Sequence, residues 1–340
     1  MNVITPVSRH DTAPTDPVAV ARRWLDQYGR AALATVVSTW GSAPVPAGGQ
    51  LVVGPDERFE GSVSGGCVEG DVIAEAEAAM TDGRPRLLEF GVSEETAWRA
   101  GLPCGGEIKV LLEPLSVDKD ATDLDRILAA RRDRRLITVA TDVATGARRL
   151  LDIGKDALPE FAADLPAGTN RLCETPDGTV FVQSLAPSVR VVIAGATNIG
   201  QVLAGLARQV GYDVVVVDPR AAFLTEERFG TTAGHIDWPE ASLAELGLDV
   251  RTAVVALTHA SHIDDEALSA ALRSPCLYVG ALGSRRTHAK RLERLKAAGF
   301  GDQELARIHA PVGLDIGAKG PAEIAVSILA QIIQTARGAA

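Results

Sequence analysis

The sequence predicts an α/β protein in two parts, a mixed α+β region followed by a doubly wound parallel sheet. Three observations carry this reading. Beyond Ala186-Pro187-Ser188, short Val-rich runs alternate with helical segments, as expected of strands buried on both faces. The first such run, 189–194, leads straight into Gly195-Ala196-Thr197-Asn198-Ile199-Gly200 and then a helix, the context of a Rossmann-like nucleotide-binding turn. Before residue 186 strand-like runs and helices are bounded by glycine and proline turns, which reads as a mixed α+β region. A length of 340 residues fits two domains. The expected boundaries are a flexible tail over 1–16, a first domain over 17–187, and a Rossmann-like domain with a C-terminal helix over 188–340.

Asp16 before Pro17 reads as an N-cap followed by proline at the first helical position, opening a helix to about Tyr28. Strands follow over 31–39 and 50–53, then a glycine-rich turn over 61–66 and an Ala/Glu-rich helix over 68–80. A strand over 107–112 precedes a helix over 120–131 and a hairpin of 136–140 with 148–153 around Ala144-Thr145-Gly146. A further strand over 179–184 follows the turn Pro176-Asp177-Gly178. In the second part, strands over 189–194, 214–217, 253–257 and 277–279 alternate with helices over 199–210, 264–273 and 286–298. Pro321 opens a last helix to about Ala336, with Ile324, Ile328 and Ile332 along one face.

Composition narrows the function classes. The chain is 46% hydrophobic and 23% charged, enough apolar residue for a real core. Its net charge of −10 disfavours nucleic-acid backbones and anionic membrane surfaces. There is no run of about 18 apolar residues, so no membrane span is expected. The first sixteen residues lack the apolar core of a signal peptide. Four cysteines without a CxxC pair fit neither a disulfide scaffold nor structural zinc, and a reducing cytoplasm is the expected location.

Four places carry candidate chemistry. In the fingerprint turn Gly195 and Gly200 permit the tight turn, Thr197 replaces the middle glycine, and Asp218 stands where a carboxylate would meet a ribose. Gly283, Ser284, Arg285 and Arg286, at a helix start, suit an anion such as phosphate. His259 and His262 are weak metal candidates, with Asp264 or Asp265 as third ligand, although Asp264 serves equally as a helix N-cap. Cys67, after Gly65 and Gly66, sits where a turn becomes a helix, which favours thiolate, while Glu69 and Asp71 oppose it. Cys104 is followed by Gly105 and Gly106, so both thiols lie on turns that a ligand can approach closely. Cys173 and Cys276 read as core residues.

Taken together, GSVSGGCVEGDV (61–72), GLPCGGEIKVLLEP (101–114), GALGSRRTHAKRLERL (280–295) and APVGLDIGAKGPAEIAVSILA (310–330) resemble the XdhC/CoxI family of xanthine dehydrogenase accessory factors. That resemblance implies a cysteine-motif domain, a Rossmann domain, and a homodimer that binds the molybdenum cofactor (molybdopterin). It further implies protection of the cofactor, sulfuration with a cysteine desulfurase, and delivery to an apo molybdenum hydroxylase of xanthine dehydrogenase type. The chain departs from the family where G-A-G-H reads Gly195-Ala196-Thr197-Asn198, where T-H-D reads Thr258-His259-Ala260, and where Lys319 and Gly320 precede the last helix. Two other readings stand beside this one. The Rossmann context supports an NAD(P)-dependent oxidoreductase, with Arg220 blurring the choice between NAD and NADP, and a docking scaffold without cofactor is the third.

Overall fold

The computed structural model describes residues 15–41, 43–91, 106–153 and 156–338. Residues 1–14 of the expected tail and Cys104 with Gly105 lie outside the described residues, whereas Asp16 is the cap of the first helix. The chain forms two compact units, one made by Thr15–Pro187 and the other beginning at Ser188.

In the first unit α1 (Pro17–Tyr28) starts where the sequence places it, with Asp16 accepting the Val18 N–H and Gly29 closing the helix in a left-handed conformation. Five antiparallel strands follow: β1 (Arg30–Trp40), β2 (Gln50–Val53), β3 (Phe59–Gly61), β4 (Arg86–Phe90) and β5 (Glu107–Ser116), in the order β3-β2-β1-β5-β4. Between β3 and β4 comes α2 (Glu69–Asp82), and after β5 comes α3 (Val117–Arg132). A second antiparallel sheet, β7-β6-β9-β8, contains β6 (Ile137–Asp142), β7 (Arg148–Asp152), β8 (Asn170–Thr175) and β9 (Gly178–Leu185), with the short α4 (Glu160–Ala163) before β8. The expected hairpin is β6 with β7.

The first sheet buries both faces. Leu33 and Val52 meet α1 and α3 on one side, while Ala34, Leu51 and Val110 meet Val72 and Ala76 of α2 on the other. A buried charge cluster joins the two sheets: Arg148 on β7 donates Nε to Glu113 on β5 at 3.0 Å and Nη1 to Asp120 on α3 at 2.6 Å. Cys173 is half-buried rather than in the core, because it stands on β8, the edge strand of its sheet, none of whose residues is fully buried. Cys276, by contrast, is buried.

The second unit is a six-stranded parallel sheet in the order β12-β11-β10-β13-β14-β15, the doubly wound arrangement. Its strands are β10 (Arg190–Ala194), β11 (Asp213–Val217), β12 (Ala233–His235), β13 (Thr252–Ala256), β14 (Tyr278–Ala281) and β15 (Ile308–His309). The helices are α5 (Asn198–Gln209), α6 (Glu226–Phe229), α7 (Pro239–Leu246), α8 (Ser261–Leu272), α9 (Arg285–Ala297), α10 (Asp302–Leu305) and α11 (Pro321–Gly338). The side chains of β10 alternate, Val191 and Ile193 facing a core that contains Leu203 of α5 and Ile328 of α11, while Val192 and Ala194 face Leu268 of α8. The isoleucine face of α11 packs as expected, with Ile328 and Ile332 fully buried and Ile324 half-buried. Among the described residues no helix is long and apolar enough to cross a membrane.

Candidate functional site

The turn bearing Cys67 is built around one carboxylate. Glu69 Oε1 accepts from Ser62 Oγ (2.6 Å), Val63 N (3.1 Å) and Ser64 N (2.9 Å), and Oε2 accepts from Ser64 Oγ and from Gly66 N (2.9 Å). Burial pushes this carboxyl up, but the Ser62 and Ser64 hydroxyls and the Ser64 N–H outweigh it and hold Glu69 at about 2. Glu69 is thus the organiser of the turn, a role that its reading as a charge near the thiol missed. Ser64 Oγ in turn accepts from Cys67 N and Val68 N, each at 2.9 Å.

This corrects the argument for Cys67. Helix α2 begins at Glu69 with Val68 as its cap, so Cys67 precedes the helix proper, and its own N–H and the next are engaged by Ser64. The thiol is half-buried, with its side chain resting against the α2 face of the core. Gly65 and Gly66 before it are exposed and adopt φ of +79° and +111°. Among the described residues nothing lies within 4 Å of where a Cβ at Gly66 would stand, so none of them closes the turn beside the thiol. Gly106 is buried just ahead of β5.

The fingerprint turn is also organised by a carboxylate. Asp218, fully buried at the end of β11, accepts Ala196 N at 2.7 Å, and Arg220 closes on it with its N–H (2.9 Å), Nε (2.8 Å) and Nη2 (2.7 Å). Burial raises this carboxyl, and the Arg220 and Ala196 hydrogen bonds bring it below its ordinary value. All its acceptor capacity is directed at the protein, which gives the ribose contact no support. Thr197 is the N-cap of α5, its Oγ1 accepting from Gly200 N at 3.2 Å. Gly200 is required here, because a Cβ would stand 2.5 Å from the Gly195 carbonyl oxygen. Arg228, which sequence reasoning missed, covers the turn by donating to Ala196 O at 2.8 Å.

The third place is the crevice between the loop after β13 and the start of α9. Helix α8 begins at Ser261, three residues earlier than expected, and Asp264 is not its N-cap: the cap residue is Ala260. Asp264 instead turns inward, where Oδ1 accepts from Thr258 N (3.1 Å) and Thr258 Oγ1 (2.6 Å), fixing the loop that carries His259 at φ +61°. His259 lines a cavity of about 200 Å³ together with Ser261, Asp264, Arg286, Thr287, Lys290, Arg291 and Arg294. His262 lies in the first turn of α8 with its ring 5.9 Å from that of Trp238. Among the described residues no group of three His, Cys, Asp or Glu is placed to hold a metal, so the His259/His262 pair gains no third ligand.

Ser284 caps α9, accepting Thr287 N at 3.2 Å, with Arg285 and Arg286 exposed beside it. Two turns on, Arg291 is only 2% exposed. Its Nη2 donates to Leu282 O at 2.8 Å and stands 3.7 Å from Asp264 Oδ2, whereas Nε and Nη1 have no hydrogen-bond partner among the described residues. Burial depresses this guanidinium and raises Asp264. Nothing in the run RRTHAKRLERLK distinguishes the one buried arginine from its exposed neighbours.

Known proteins decide the family. Residues 191–332 match the model of the XdhC Rossmann domain, and residues 24–91 match that of the XdhC and CoxI family. The Molybdenum cofactor insertion chaperone PaoD of Escherichia coli is 32% identical over 89% of this chain and 82% of its own length. This chain belongs to the XdhC and CoxI family. Its relatives in the XdhC and CoxI family also include a Bacillus subtilis protein named as a probable component of xanthine dehydrogenase, 30% identical over 92% of this chain and 94% of its own length. The XdhC fold is shared with a Bacillus halodurans crystal structure titled as a xanthine dehydrogenase, at a TM-score of 0.77 and 25% identity, covering 95% of this chain and 96% of that one.

Proposed function

We propose that this protein is a molybdenum-cofactor chaperone. It takes the cofactor as cargo, shields it, supports exchange of one oxygen ligand of the metal for sulfur in company with a cysteine desulfurase, and hands it to an apo hydroxylase of xanthine dehydrogenase type. It works in the cytoplasm as a homodimer. The observation that carries this reading is the likeness, over 89% of the chain, to a protein named as a molybdenum cofactor insertion chaperone. The residues are suited to such cargo. Cys67 offers a thiol on an open glycine turn, and a thiolate is an apt soft ligand for the metal. The Ser284-capped start of α9, lined with Arg286 and Lys290, offers the positive field that a phosphate needs.

The protein's own work in this scheme is to hold and position. Glu69 and Ser64 fix the turn so that Cys67 meets the cargo without reorganisation, the condition for a preformed binding group. The test is anaerobic loading with molybdenum cofactor followed by gel filtration and assay of retained molybdenum. Retention is expected in the wild type and at least about tenfold less in Cys67→Ser, the loss of one strong ligand contact. A wild-type protein that retains none overturns the proposal.

A further inference from the structure

The geometry points to a ring-binding site in the second unit: a cavity beyond the carboxyl ends of β14 and β15 that takes a flat heterocycle by its 2-amino-4-oxopyrimidine edge, read by Asp315 and Arg285. The cavity holds about 410 Å³, within the range of roughly 300–1,000 Å³ typical of sites that enclose small ligands. Leu282, just after β14, lines it together with the chain that follows β15, from Pro311 to Ala318, and with Ile324 and Ser327 of α11. Doubly wound sheets bind their ligands outside the carboxyl ends of the strands.

The loop that shapes this cavity is built in advance. Gly313 has φ of +94°, and a Cβ there would stand 2.3 Å from Ser327 Oγ, so only glycine lets the loop lie this close to α11. Its N–H donates to Gln331 Oε1 at 2.8 Å, and the Tyr278 hydroxyl donates to the same oxygen at 2.6 Å, which ties the loop to both α11 and β14. The Leu314 N–H donates to Ser327 O at 3.1 Å. A loop held in this way gives up little freedom when a ligand enters, which favours binding. It nevertheless keeps Ile316, a large apolar side chain among those lining the cavity, 55% exposed. A ring seated there takes apolar surface out of water.

The lining sets the ligand class. Leu282, Val312, Leu314, Ile316 and Ile324 supply apolar walls, which suit a flat ring rather than a sugar or a polyanion. Two ionisable side chains of opposite charge, Arg285 and Asp315, stand among them. Neither has a hydrogen-bond or ion-pair partner among the described residues, so both are available to a ligand. A ring that engages both presents donors to the carboxylate and an acceptor to the guanidinium. In a 2-amino-4-oxopyrimidine the amino group and the neighbouring ring N–H form a donor pair that a carboxylate accepts with its two oxygens, and the oxo group accepts from arginine. That edge is shared by pterins and guanine. Assigning the ring to the pterin of the cargo rests on the chaperone reading, in which Arg286 and Lys290 of the same helix meet the phosphate, whereas the ring site itself does not.

The experiment titrates pterin into the full chain by fluorescence, beside guanosine and beside lumazine, in which an oxo group replaces the 2-amino group. Millimolar or tighter pterin binding is expected, with lumazine at least about tenfold weaker, because its added oxygen faces the Asp315 carboxylate. Asp315 and Arg285 are exposed, so their variants keep an unchanged melting temperature. Asp315→Asn weakens pterin at least about tenfold and removes the preference over lumazine, Arg285→Ala weakens pterin likewise, and Arg132→Ala on α3 alters neither. Absence of pterin binding, equal affinity for lumazine, or binding indifferent to Asp315→Asn overturns the site. Guanosine bound at least about tenfold more tightly than pterin overturns the assignment to the cargo and leaves a site for the shared edge. Retention of molybdenum cofactor separates the two proposals. Undiminished retention by Asp315→Asn beside loss in Cys67→Ser overturns this cavity as the cargo's ring site and leaves the chaperone reading standing. Pterin binding here by a protein that retains no cofactor overturns the chaperone reading and leaves the ring site.

Discussion

Two glycine-rich turns in this protein, one before α2 and one before α5, are each organised by a single buried carboxylate, and they balance its charge differently. Glu69 is held entirely by hydroxyl and backbone donors. Asp218 is held by two backbone N–H groups, of Ala196 and Arg220, and by the chelating guanidinium of Arg220. An anion balanced by neutral dipoles depends on every donor staying in place, whereas one balanced by a full charge tolerates the loss of a contact. The difference also bears on function. The Glu69 turn keeps an exposed, open glycine and a half-buried thiol at its surface, while the Asp218 turn directs its carboxylate inward. On the proposed function the first turn offers its thiol to the cargo, while the second holds a strand to a helix.

The largest effect expected from this contrast is that of Glu69→Ala. It removes the common acceptor of five donors, several of them buried, and denaturant unfolding should show a loss of about 3 kcal/mol. Thiol alkylation of Cys67 should accelerate in the same variant, because Ser64 loses the partner that orients it toward Cys67 N. A change below 1 kcal/mol would break the comparison, since it would mean that the turn holds itself without the carboxylate.

A pH series tests the same group without mutation. Glu69 sits below its ordinary value of 4.5, at about 2, so the unfolded chain takes up the proton more readily than the folded one. Its stabilisation is complete above about pH 4.5 and is lost as the pH falls toward 2. The wild type should lose about 3 kcal/mol more than Glu69→Gln across that window. Equal losses in the two proteins would remove Glu69 from the account.

Asp218→Asn should cost about 2 kcal/mol, less than Glu69→Ala, because Arg220 is one-third exposed and can turn to water once its partner is neutral. Thermal unfolding of Arg220→Met, which leaves Asp218 buried with two backbone N–H groups and no countercharge, sharpens this: a loss larger than that of Asp218→Asn is expected, since it strands the charge. The smallest effect is that of Thr197→Gly. It restores the glycine of the fingerprint at the expense of the α5 cap, and a change of only a few tenths of a kcal/mol is expected in the melting curve.

Sequence alone determined the elements whose signals are local and strong. Asp16-Pro17 sets the start of α1, the Val-rich runs become the parallel strands β10, β11 and β13, and the isoleucine spacing of α11 becomes its buried face. These depend on periodicity and capping, which a chain carries in its neighbours along the sequence. Weak, short elements escaped: β3, β4, β8 and β12 are three to six residues long and take their stability from a partner strand. Helix α7 escaped although Pro239 stands at its first position, as Pro17 does in α1.

At the candidate sites the residue types were legible and their partners were not. Glycines, thiol and arginines marked the candidate turns, and the family motifs marked the right family. Only the tertiary structure decided that Glu69 organises the Cys67 turn, that Asp218 faces its own backbone, that Asp264 turns inward instead of capping α8, and that Arg291 is the buried member of a basic helix. Each of these is a question of which donor meets which acceptor across a fold. A buried carboxylate or guanidinium is fixed by groups that can be far away along the chain, and its energy depends on whether those groups satisfy it, which the order of residues does not disclose.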